Sequence, residues 1–348
     1  MKEKILFQCD YNEGAHPRIL EKLLATNLEQ TPGYGEDLYC ESAAKKIRSA
    51  CGDESLAVHF LMGGTQANLT VISAALRPHQ GVLCARSGHI NVHETGAVEA
   101  CGHKVLALPS ENGKISAGQV REACQEHRDN DSFEHMVQPG MVYISNPTEL
   151  GTLYSAEELK GLYEVCREFG IRLFLDGARL GYGLAAPDNT LSLQTIAGYT
   201  DVFYIGGTKV GALFGEAVVI RDEELKRDFR YLIKQRGGML AKGRLLGLQF
   251  DELFTDNLYF DISARAIILA ERIREAIDRK GWPYLAENRT NQIFPIVPDD
   301  ALEKLSERFA YSYDHRVDES HSAVRFCTSW ATKEENVDAL ISAIEELN

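Results

Sequence analysis

Short apolar runs rich in β-branched residues alternate with longer amphipathic runs through the first two thirds of this 348-residue chain. Such alternation is typical of βα units, in which helices cover a parallel sheet. The apolar runs are nearly continuous, as expected for strands that are buried on both faces. The pattern therefore predicts an α/β fold whose mostly parallel sheet is sandwiched by helices.

Six apolar runs are predicted to form the parallel strands of this sheet. They are residues 56–61, 82–85, 104–108, 141–145, 171–176 and 202–205, and a run at 217–220 is a possible antiparallel addition. The helix before the fifth strand is predicted most clearly. Ser155 and Glu158 form a capping-box pattern at its start, and Gly170 ends it.

The pattern changes near Leu245 to long charged helices with only two further strand candidates, at residues 292–297 and 323–327. This change indicates a smaller C-terminal α+β domain. The chain is long enough for two domains of roughly 150 residues each. We therefore expect three parts, listed in chain order: an N-terminal arm at residues 1–15, a large α/β domain at 16–248 and a small α+β domain at 249–348.

The composition limits which binding partners and which cellular compartment we expect. The net charge is −14 with histidines neutral, and an acidic surface repels nucleic acid and anionic lipid. The eight cysteines include no Cys-x-x-Cys pair and are typical of thiols in a reducing compartment. The N-terminal apolar run is too short for a signal peptide, and the longest uncharged stretch, residues 60–76, contains glycines and polar residues. We expect a cytoplasmic protein without nucleic-acid or membrane partners.

Two charged residues lie at the ends of apolar strands. Lys209 follows DVFYIGG, and burial there should favour its neutral amine, which forms Schiff bases with carbonyls such as the aldehyde of pyridoxal phosphate. Asp176 ends IRLFLD, at the sheet edge where α/β proteins bind ligands, and its carboxylate suits a pyridinium nitrogen. The alternatives are a surface lysine in a turn and an aspartate that caps a helix or binds Mg²⁺.

A Gly-Gly-Thr turn follows the first strand and opens a helix. Gly64 and Thr65 would offer backbone N–H groups and a hydroxyl to a phosphate at the positive helix end, and Thr208 offers a second hydroxyl. The spacing is neither the dinucleotide fingerprint nor a Walker loop. A tight βα connection without a ligand is the alternative.

Two histidines, His89 and His93, stand four residues apart, a spacing that on a helix puts both imidazoles on one face. Only Glu94 is near enough to complete a metal ligand set, so no metal site is expected. Beside a pyridoxal ring, one imidazole would stack on the ring and the other would exchange protons. A structural role is the alternative for His93.

Two arginines suit the carboxylate of an amino acid substrate. Arg179 follows Asp176 by about one helical turn, and Arg325 interrupts the apolar strand AVRFC. The planar guanidinium binds a carboxylate through two parallel hydrogen bonds. Two unrelated structural salt bridges are the alternative.

Taken together, these segments resemble the pyridoxal-phosphate-dependent threonine aldolases, which have the aspartate-aminotransferase-like fold called fold type I. The resemblance rests on YGED at 34–37, FLMGGTQANL at 60–69, SGHINVHETGA at 87–97, FLDGARLGYGL at 174–184, GGTK at 206–209 and RGGMLAKGRLLG at 236–247. It implies a lyase that cleaves a β-hydroxy-α-amino acid, such as L-threonine or L-allo-threonine, to glycine and an aldehyde.

The resemblance also implies roles for individual residues. Lys209 would carry the cofactor as a Schiff base, Asp176 would pair with the ring nitrogen, and His89 would stack on the ring. Gly64, Thr65 and Thr208 would hold the phosphate. Arg179 and Arg325 would grip the substrate carboxylate. Tyr34 lies in a loop that reaches a neighbouring subunit's site in the family, which implies a homodimer or homotetramer with shared active sites.

The chain departs from the family pattern at three places. SNPTELG at 145–151 replaces the usual Glu-Asn-Thr-His-Asn-Gly, so Thr148 or Glu149 stands where the family histidine helps to bind the substrate hydroxyl. The carboxylate-binding serine of the family arm is missing here or replaced by Cys9. Thr208 stands where the family usually has a serine before the Schiff-base lysine. The base that removes the hydroxyl proton is therefore left open among His89, His93, Glu149 and a held water, and Glu149 has the alternative of capping the loop before Ser155.

Three other functions remain as alternatives at this point. A β-eliminating lyase or an aminotransferase would use the same cofactor and scaffold. A non-catalytic protein that binds pyridoxal phosphate or amino acids would keep the fold without turnover. A metal-dependent hydrolase would use His89 and His93 instead of Lys209.

Overall fold

A seven-stranded sheet is the centre of the computed structural model, which describes residues 4–347. The strands are β1 Ile5–Leu6, β2 Ala57–Leu61, β3 Gln80–Ala85, β4 Lys104–Leu108, β5 Gln138–Ser145, β6 Arg172–Asp176, β7 Val202–Gly206, β8 Glu216–Ile220, β9 Gln292–Ile293, β10 Ile296–Pro298, β11 Phe309–Ala310, β12 Ser312–Arg316 and β13 His321–Cys327. The α-helices are α1 Pro17–Ala25, α2 Leu38–Cys51, α3 Gly64–Ala75, α4 His89–Val92, α5 Ala97–Ala100, α6 Ala117–Asp129, α7 Ala156–Phe169, α8 Leu180–Ala185, α9 Leu193–Gly198, α10 Glu223–Gln235, α11 Arg244–Leu253, α12 Leu258–Lys280, α13 Asp299–Ser306 and α14 Glu334–Glu346, and a 3₁₀ turn spans Phe133–His135.

The large sheet has the strand order β2-β8-β7-β6-β5-β3-β4. Strand β8 runs in the opposite direction to the other six and pairs antiparallel with β2 and β7. The predicted parallel strands and the antiparallel addition are therefore confirmed. Strands β5 and β6 end in register, with Ser145 opposite Asp176, so their last side chains lie at one edge of the sheet.

Both faces of this sheet are covered by apolar side chains. Along β6, Leu173 and Leu175 pack into one core cluster, whereas Phe174 packs into the cluster on the opposite face. Strand side chains alternate between the two faces of a sheet. The alternation explains why the strand sequences are continuously apolar, and it confirms the sandwich of helices around the sheet.

Helix α7 forms where the capping pattern predicts it. The Ser155 hydroxyl accepts from the Glu158 N–H, and the Glu158 carboxylate accepts from the Ser155 N–H. Gly170 ends the helix with a φ of 67°, a left-handed conformation that glycine adopts without a steric penalty.

The C-terminal third contains a four-stranded antiparallel sheet, in which β13 pairs with β9, β10 and β12. The prediction of one strand at residues 292–297 is wrong, because β9 and β10 are separate strands. Pro295 lies between them and has no N–H to donate to a ladder. Strand β12 was not predicted, since its exposed sequence SYDHR lacks apolar alternation.

The N-terminal segment belongs structurally to this C-terminal part. Strand β1 pairs in parallel with β11, and the Phe7 side chain is buried in the small core. Helix α12 joins this small core, the apolar cluster of the C-terminal part, to one of the two clusters that cover the large sheet. Its residues Ile273 and Ile277 pack into the small core, and Tyr259 and Ile262 pack into the cluster on the large sheet. The division into domains at residues 15/16 and 248/249 stays a prediction.

Within residues 4–347, no helix combines the length and the apolar character needed to cross a membrane.

Candidate active site

A cavity of about 620 Å³ opens at the edge of the large sheet where the parallel strands end. The loops after β5, β6 and β7 form its walls together with the start of α3, which is where ligands bind in open α/β sheets. All the predicted site residues except Tyr34 line this cavity: Gly64, Thr65, His89, Glu149, Asp176, Arg179, Thr208, Lys209 and Arg325.

Asp176 is held rigidly at the end of β6. Its Oδ2 accepts hydrogen bonds from the Tyr143 hydroxyl and from Asn68 Nδ2, the latter at 3.2 Å. Its Oδ1 accepts from the Ala178 N–H at 2.9 Å. The side chain is therefore fixed in one direction, and its residue is only 4% exposed.

A second buried carboxylate, Glu94, is linked to Asp176 through the amide of Asn68. Glu94 Oε1 accepts from Asn68 Nδ2 at 2.7 Å and lies 2.8 Å from His89 Nδ1. The carboxylate thereby fixes the tautomer and the orientation of the imidazole, with Nδ1 as the donor. Sequence reasoning considered Glu94 only as a metal ligand and missed this orienting contact.

The two histidines differ in environment although their ring centres lie only 5.5 Å apart. Burial opposes the charging of His89, but the hydrogen bond to Glu94 and the charges of Asp176 and Glu94 outweigh it and raise the pKa of His89. Burial and the charge of His89 lower the pKa of His93, which is exposed. No group of three or more His, Cys, Asp or Glu suited to a metal occurs within residues 4–347.

Lys209 lies three residues beyond the end of β7, next to Asp176 in the cavity wall. The Tyr182 hydroxyl donates to the Lys209 carbonyl oxygen at 2.6 Å and holds the backbone there. Burial lowers the pKa of Lys209, and the charge of Arg179 adds to this effect, while Asp10, Asp176 and Glu216 oppose it. The shift favours the neutral, nucleophilic amine.

Arg179 is paired with a residue that the sequence did not reveal. Its Nε and Nη2 donate to the two carboxylate oxygens of Asp10, at 2.6 and 3.0 Å. Asn291 also donates to Asp10, which is fully buried. Burial alone would raise the pKa of Asp10, but the charges of Arg179 and Lys209 and these hydrogen bonds lower it. Asp10 stands in an arm without periodicity, so no pattern marked it.

Arg325 reaches the same cavity from β13 in the C-terminal part. Its guanidinium donates to Gln292 Oε1, to the Gln8 carbonyl and to Ser312 Oγ. Its Nε is buried without a hydrogen-bond partner in the described part of the chain. The structure therefore brings both predicted arginines to one cavity, and neither is a remote surface residue.

Glu149 connects β5 to the start of α4. Its Oε1 accepts from the His89 N–H at 2.9 Å and from Ser145 Oγ at 2.7 Å. The Ser155 N–H donates to Glu158 and not to Glu149. The bonds that Glu149 accepts, from Ser145 in its own loop and from His89, give it a structural role as well as a place in the cavity wall. Burial raises the pKa of Glu149, and the hydrogen bond from Ser145 partly opposes this.

The start of α3 offers free donors to the cavity. Gly63 precedes the helix in an extended conformation, and no side chain caps it. A Cβ at Gly64 would lie 3.0 Å from Tyr204 Oη, so a glycine suits this position. Uncapped N–H groups at a helix N-terminus attract anions such as phosphate.

Thr208 faces a buried acid that sequence reasoning missed. Its Oγ1 accepts from the Gly215 N–H and donates to Glu216 Oε1, both at 3.0 Å. Burial raises the pKa of Glu216 to about 8, against the charge of Lys209 and the hydrogen bonds from Thr208 and Gly207. The sequence does contain a signal for Glu216. This acid directly precedes the apolar run AVVI, whose antiparallel strand begins at the edge where the parallel strands end.

Tyr34 lies apart from the other predicted residues. It lines a separate cavity of about 310 Å³ together with His59 and Arg230, and it is 47% exposed. The Lys234 ammonium lies 4.9 Å from the centre of its ring. Tyr34 therefore does not reach the cavity of its own chain that contains Lys209.

The fold is that of the aspartate aminotransferases, as shown by a Thermus thermophilus aspartate aminotransferase with a TM-score of 0.72, covering 98% of this chain and 91% of that one. At 16% identity this similarity shows the fold alone. The beta-eliminating lyase family model matches residues 13–300. The chain therefore belongs to the beta-eliminating lyase family, within its threonine aldolase group.

Individual relatives support this membership. A Leishmania major threonine aldolase structure is 42% identical with a TM-score of 0.95, and the match covers 98% of each chain. A low-specificity L-threonine aldolase from a Pseudomonas species is 29% identical over 97% of this chain and 96% of its own. The corresponding Pseudomonas aeruginosa protein is 28% identical over 96% and 95%. The resemblance inferred from the motifs is thus confirmed.

Proposed function

We propose that this protein is a pyridoxal-phosphate-dependent lyase that cleaves a β-hydroxy-α-amino acid, such as L-threonine or L-allo-threonine, to glycine and an aldehyde. The observation that carries the proposal is the convergence of Lys209, Asp176 and the two arginines on one cavity. Relatives that span nearly the whole chain bear the name threonine aldolase, which supports the same substrate class.

The residues of the cavity fit pyridoxal phosphate. The uncapped start of α3 suits its phosphate, the fixed carboxylate of Asp176 suits its ring nitrogen, and His89 suits the face of its ring. Lys209 has the lowered pKa that an aldehyde-binding amine needs. When bound, pyridoxal phosphate supplies a ring that withdraws electrons from the substrate Cα.

The two arginines fix the orientation of the substrate. Arg179 keeps two of its nitrogens on Asp10, which holds its guanidinium plane in place, and Arg325 is anchored by Gln292 and Gln8. A carboxylate bound by such fixed groups sets the rotation about Cα, so that the Cα–Cβ bond is aligned for cleavage. Binding energy is thereby used for orientation.

Loss of the β-hydroxyl proton needs a base on the cavity wall. The raised pKa of His89 and its bond to Glu94 favour the imidazolium, which is a poor base. Glu149 and the neutral His93 fit the role better, because each lines the cavity and carries a group that is able to accept a proton. We favour Glu149, whose ionised form is already oriented by Ser145.

The first test is replacement of Lys209. Lys209→Ala should abolish turnover of L-threonine while preserving the fold, because its amine is the attachment point of the cofactor. Borohydride trapping followed by peptide mapping should label Lys209 in the wild type. Lys160→Ala, on the exposed face of α7, is the matched control and should leave labelling unchanged. Label on another lysine would contradict the assignment.

Beta-elimination is a second candidate function, because the matching family model carries that name. The products separate the two reactions. Aldol cleavage of L-threonine releases glycine and acetaldehyde, whereas elimination from serine releases pyruvate and ammonia. Assays for acetaldehyde and for pyruvate on one preparation of holoenzyme decide between them.

We further propose a cytoplasmic homodimer or homotetramer in which Tyr34 completes the site of a neighbouring subunit. The position of Tyr34 in a separate, partly exposed cavity supports this arrangement, since a contact with a second copy would cover it.

A further inference from the structure

We propose that Glu216 is a further residue of the phosphate subsite, where it acts as an uncharged acid whose proton frees the Thr208 hydroxyl to donate to the phosphate. This inference rests on the proposed function, because it requires the phosphate of pyridoxal phosphate at the start of α3. It adds a specificity-determining residue that neither the motifs nor the proposed mechanism uses.

Glu216 lies directly beside the proposed phosphate position. It is the first residue of β8 and pairs with Leu61, the last residue of β2, and the chain continues from Leu61 through Gly63 into α3. Glu216 is 4% exposed and lines the same cavity as Thr208 and the start of α3. An ionised carboxylate at this place would repel a phosphate dianion.

The hydrogen bonds of Thr208 make the protonation of Glu216 decisive. A threonine hydroxyl has one proton and two acceptor lone pairs. One lone pair of Thr208 Oγ1 accepts from the Gly215 N–H, and its proton is directed at Glu216 Oε1. Ionised Glu216 accepts only, so the Thr208 proton is then not free for another acceptor.

Protonated Glu216 reverses this hydrogen bond. Oε1–H then donates to the remaining lone pair of Thr208, while Oε2 keeps the hydrogen bond that it accepts from the Gly207 N–H at 3.2 Å. The Thr208 proton becomes free to donate to a phosphate oxygen. Repulsion is removed and a donor is gained in the same step, so the two effects add.

The charged groups that face Glu216 act in opposite directions on its ionisation. The charge of Lys209 favours ionised Glu216, and Asp176 favours the neutral acid. Tyr204 of β7 and Tyr259 of α12 also face Glu216, and burial together with its charge keeps both phenols protonated. Leu61 and Gly206, its partners in the sheet, carry no charge. A bound phosphate adds negative charge and favours the neutral acid further.

The experiment compares the affinities for pyridoxal phosphate and for pyridoxal, measured by reconstitution titrations of the full chain from pH 7 to pH 9.5. Pyridoxal shares the aldehyde, so the ratio of the two affinities isolates the phosphate, which stays dianionic over this range because its second pKa is about 6. In the wild type, the affinity for pyridoxal phosphate relative to that for pyridoxal should fall as the pH rises. Above the pKa of Glu216 the fall should approach tenfold per pH unit.

Glu216→Gln should make this ratio independent of pH, because the amide is uncharged and always offers a donor to Thr208. The control Glu223→Gln, on the exposed surface of α10, should keep the wild-type fall. A flat ratio in the wild type, or a fall that persists in Glu216→Gln, would overturn the proposal.

Thr208→Val is a second test, which applies even if the Glu216→Gln protein does not fold. Compared with the wild type, Thr208→Val should have a lower affinity ratio at pH 7, and the ratio should fall less between pH 7 and pH 9.5. A ratio equal to that of the wild type at pH 7 would overturn the proposal. Absence of any pyridoxal phosphate binding by the wild type would overturn the proposed function as well. Binding with the wrong pH dependence would overturn only the role of Glu216.

Discussion

At the scale of single residues, the acids around the cavity differ in what holds them. Asp10 is paired with Arg179 through two hydrogen bonds, which lower its pKa although burial acts in the other direction. Glu149 receives only a hydroxyl and a backbone N–H, and burial raises its pKa. One acid is therefore a fixed charge, while the other exchanges its proton at a higher pH than an ordinary glutamate.

Glu149→Gln tests the proposed base. The ionised form is the active one, so wild-type kcat should fall as the pH decreases through the raised pKa of Glu149. Gln should remove this acid limb and slow cleavage by roughly 10²- to 10⁴-fold, the range of general base catalysis. The measurement is kcat against pH for L-threonine and L-allo-threonine, with the exposed Glu157→Gln as control. An unaltered rate and profile would return the role to His93 or water.

Asp10→Asn tests the buried ion pair. Leaving Arg179 without its charged partner should lower the free energy of unfolding by about 3–5 kcal/mol near pH 7. Because the pKa of Asp10 is lower in the folded protein than its ordinary value of 3.8, its contribution is complete above about pH 4 and is lost as the pH falls further.

Urea denaturation at pH 7 and at pH 3 measures this difference. The gap between wild type and Asp10→Asn should narrow at pH 3, and an equal gap at both pH values would count against the assignment. Asp256→Asn is the control, since its carboxylate, 78% exposed, forms only a surface pair with Arg18.

At the scale of secondary-structure elements, the N-terminal arm connects distant parts of the chain. The Phe7 N–H donates to the Ala310 carbonyl, and the Phe7 carbonyl accepts from the Cys327 N–H, so the arm adds to strands β11 and β13 of the C-terminal part. Asp10 follows closely and binds Arg179, in the loop after β6 of the large sheet. The arm is therefore part of the core and of the site.

Phe7→Ala should destabilise the protein by about 3–5 kcal/mol, because the ring is 1% exposed and fills the small core. Leu6→Ala, at the preceding residue, is the matched control. Leu6 is 50% exposed and should change the free energy of unfolding by no more than about 0.5 kcal/mol. Chemical denaturation of both variants measures the difference, and similar losses would show that the arm is not held by core packing.

The strands and loops also show which parts of the fold and of the site can be predicted from the sequence alone. The strands β2 to β8 were predictable because each is a largely apolar run, and the central ones are buried on both faces. The two-residue strands β1 and β11 carry too few side chains for a period to appear. The glycines, Asp176 and Lys209 mark the site because they lie at or just beyond the ends of apolar strands. Asp10 lies in irregular chain and acquires its role only through a contact with distant Arg179.

At the scale of the whole molecule, the site is assembled from parts that are far apart in sequence. Arg325 comes from the C-terminal sheet, Arg179 from the loop after β6, and α12 packs against both cores. Tyr34 is the predicted site residue that this assembly does not include. A second copy of the chain would have to supply it.

Complementation tests the shared site. Lys209→Ala and Tyr34→Ala should each be nearly inactive alone. In randomly mixed dimers, half the molecules are hybrids, and one of the two sites in each hybrid has both residues intact, so about a quarter of wild-type activity should return. Light scattering gives the oligomeric state of the same samples. No recovery of activity in hybrids would place Tyr34 outside the neighbouring site.

Only two residues separate Phe7, which packs in the small core, from Asp10, which holds Arg179. We therefore expect ligand binding at Arg179 to be linked to local unfolding of the arm. An amino acid that binds Arg179 only in its native orientation selects chains in which the arm is docked. Hydrogen exchange at the amides of Ile5 and Phe7, which donate to the carbonyls of Arg308 and Ala310, should then slow as the ligand concentration rises. The N-terminal strand would report on occupancy of a cavity that it does not itself line.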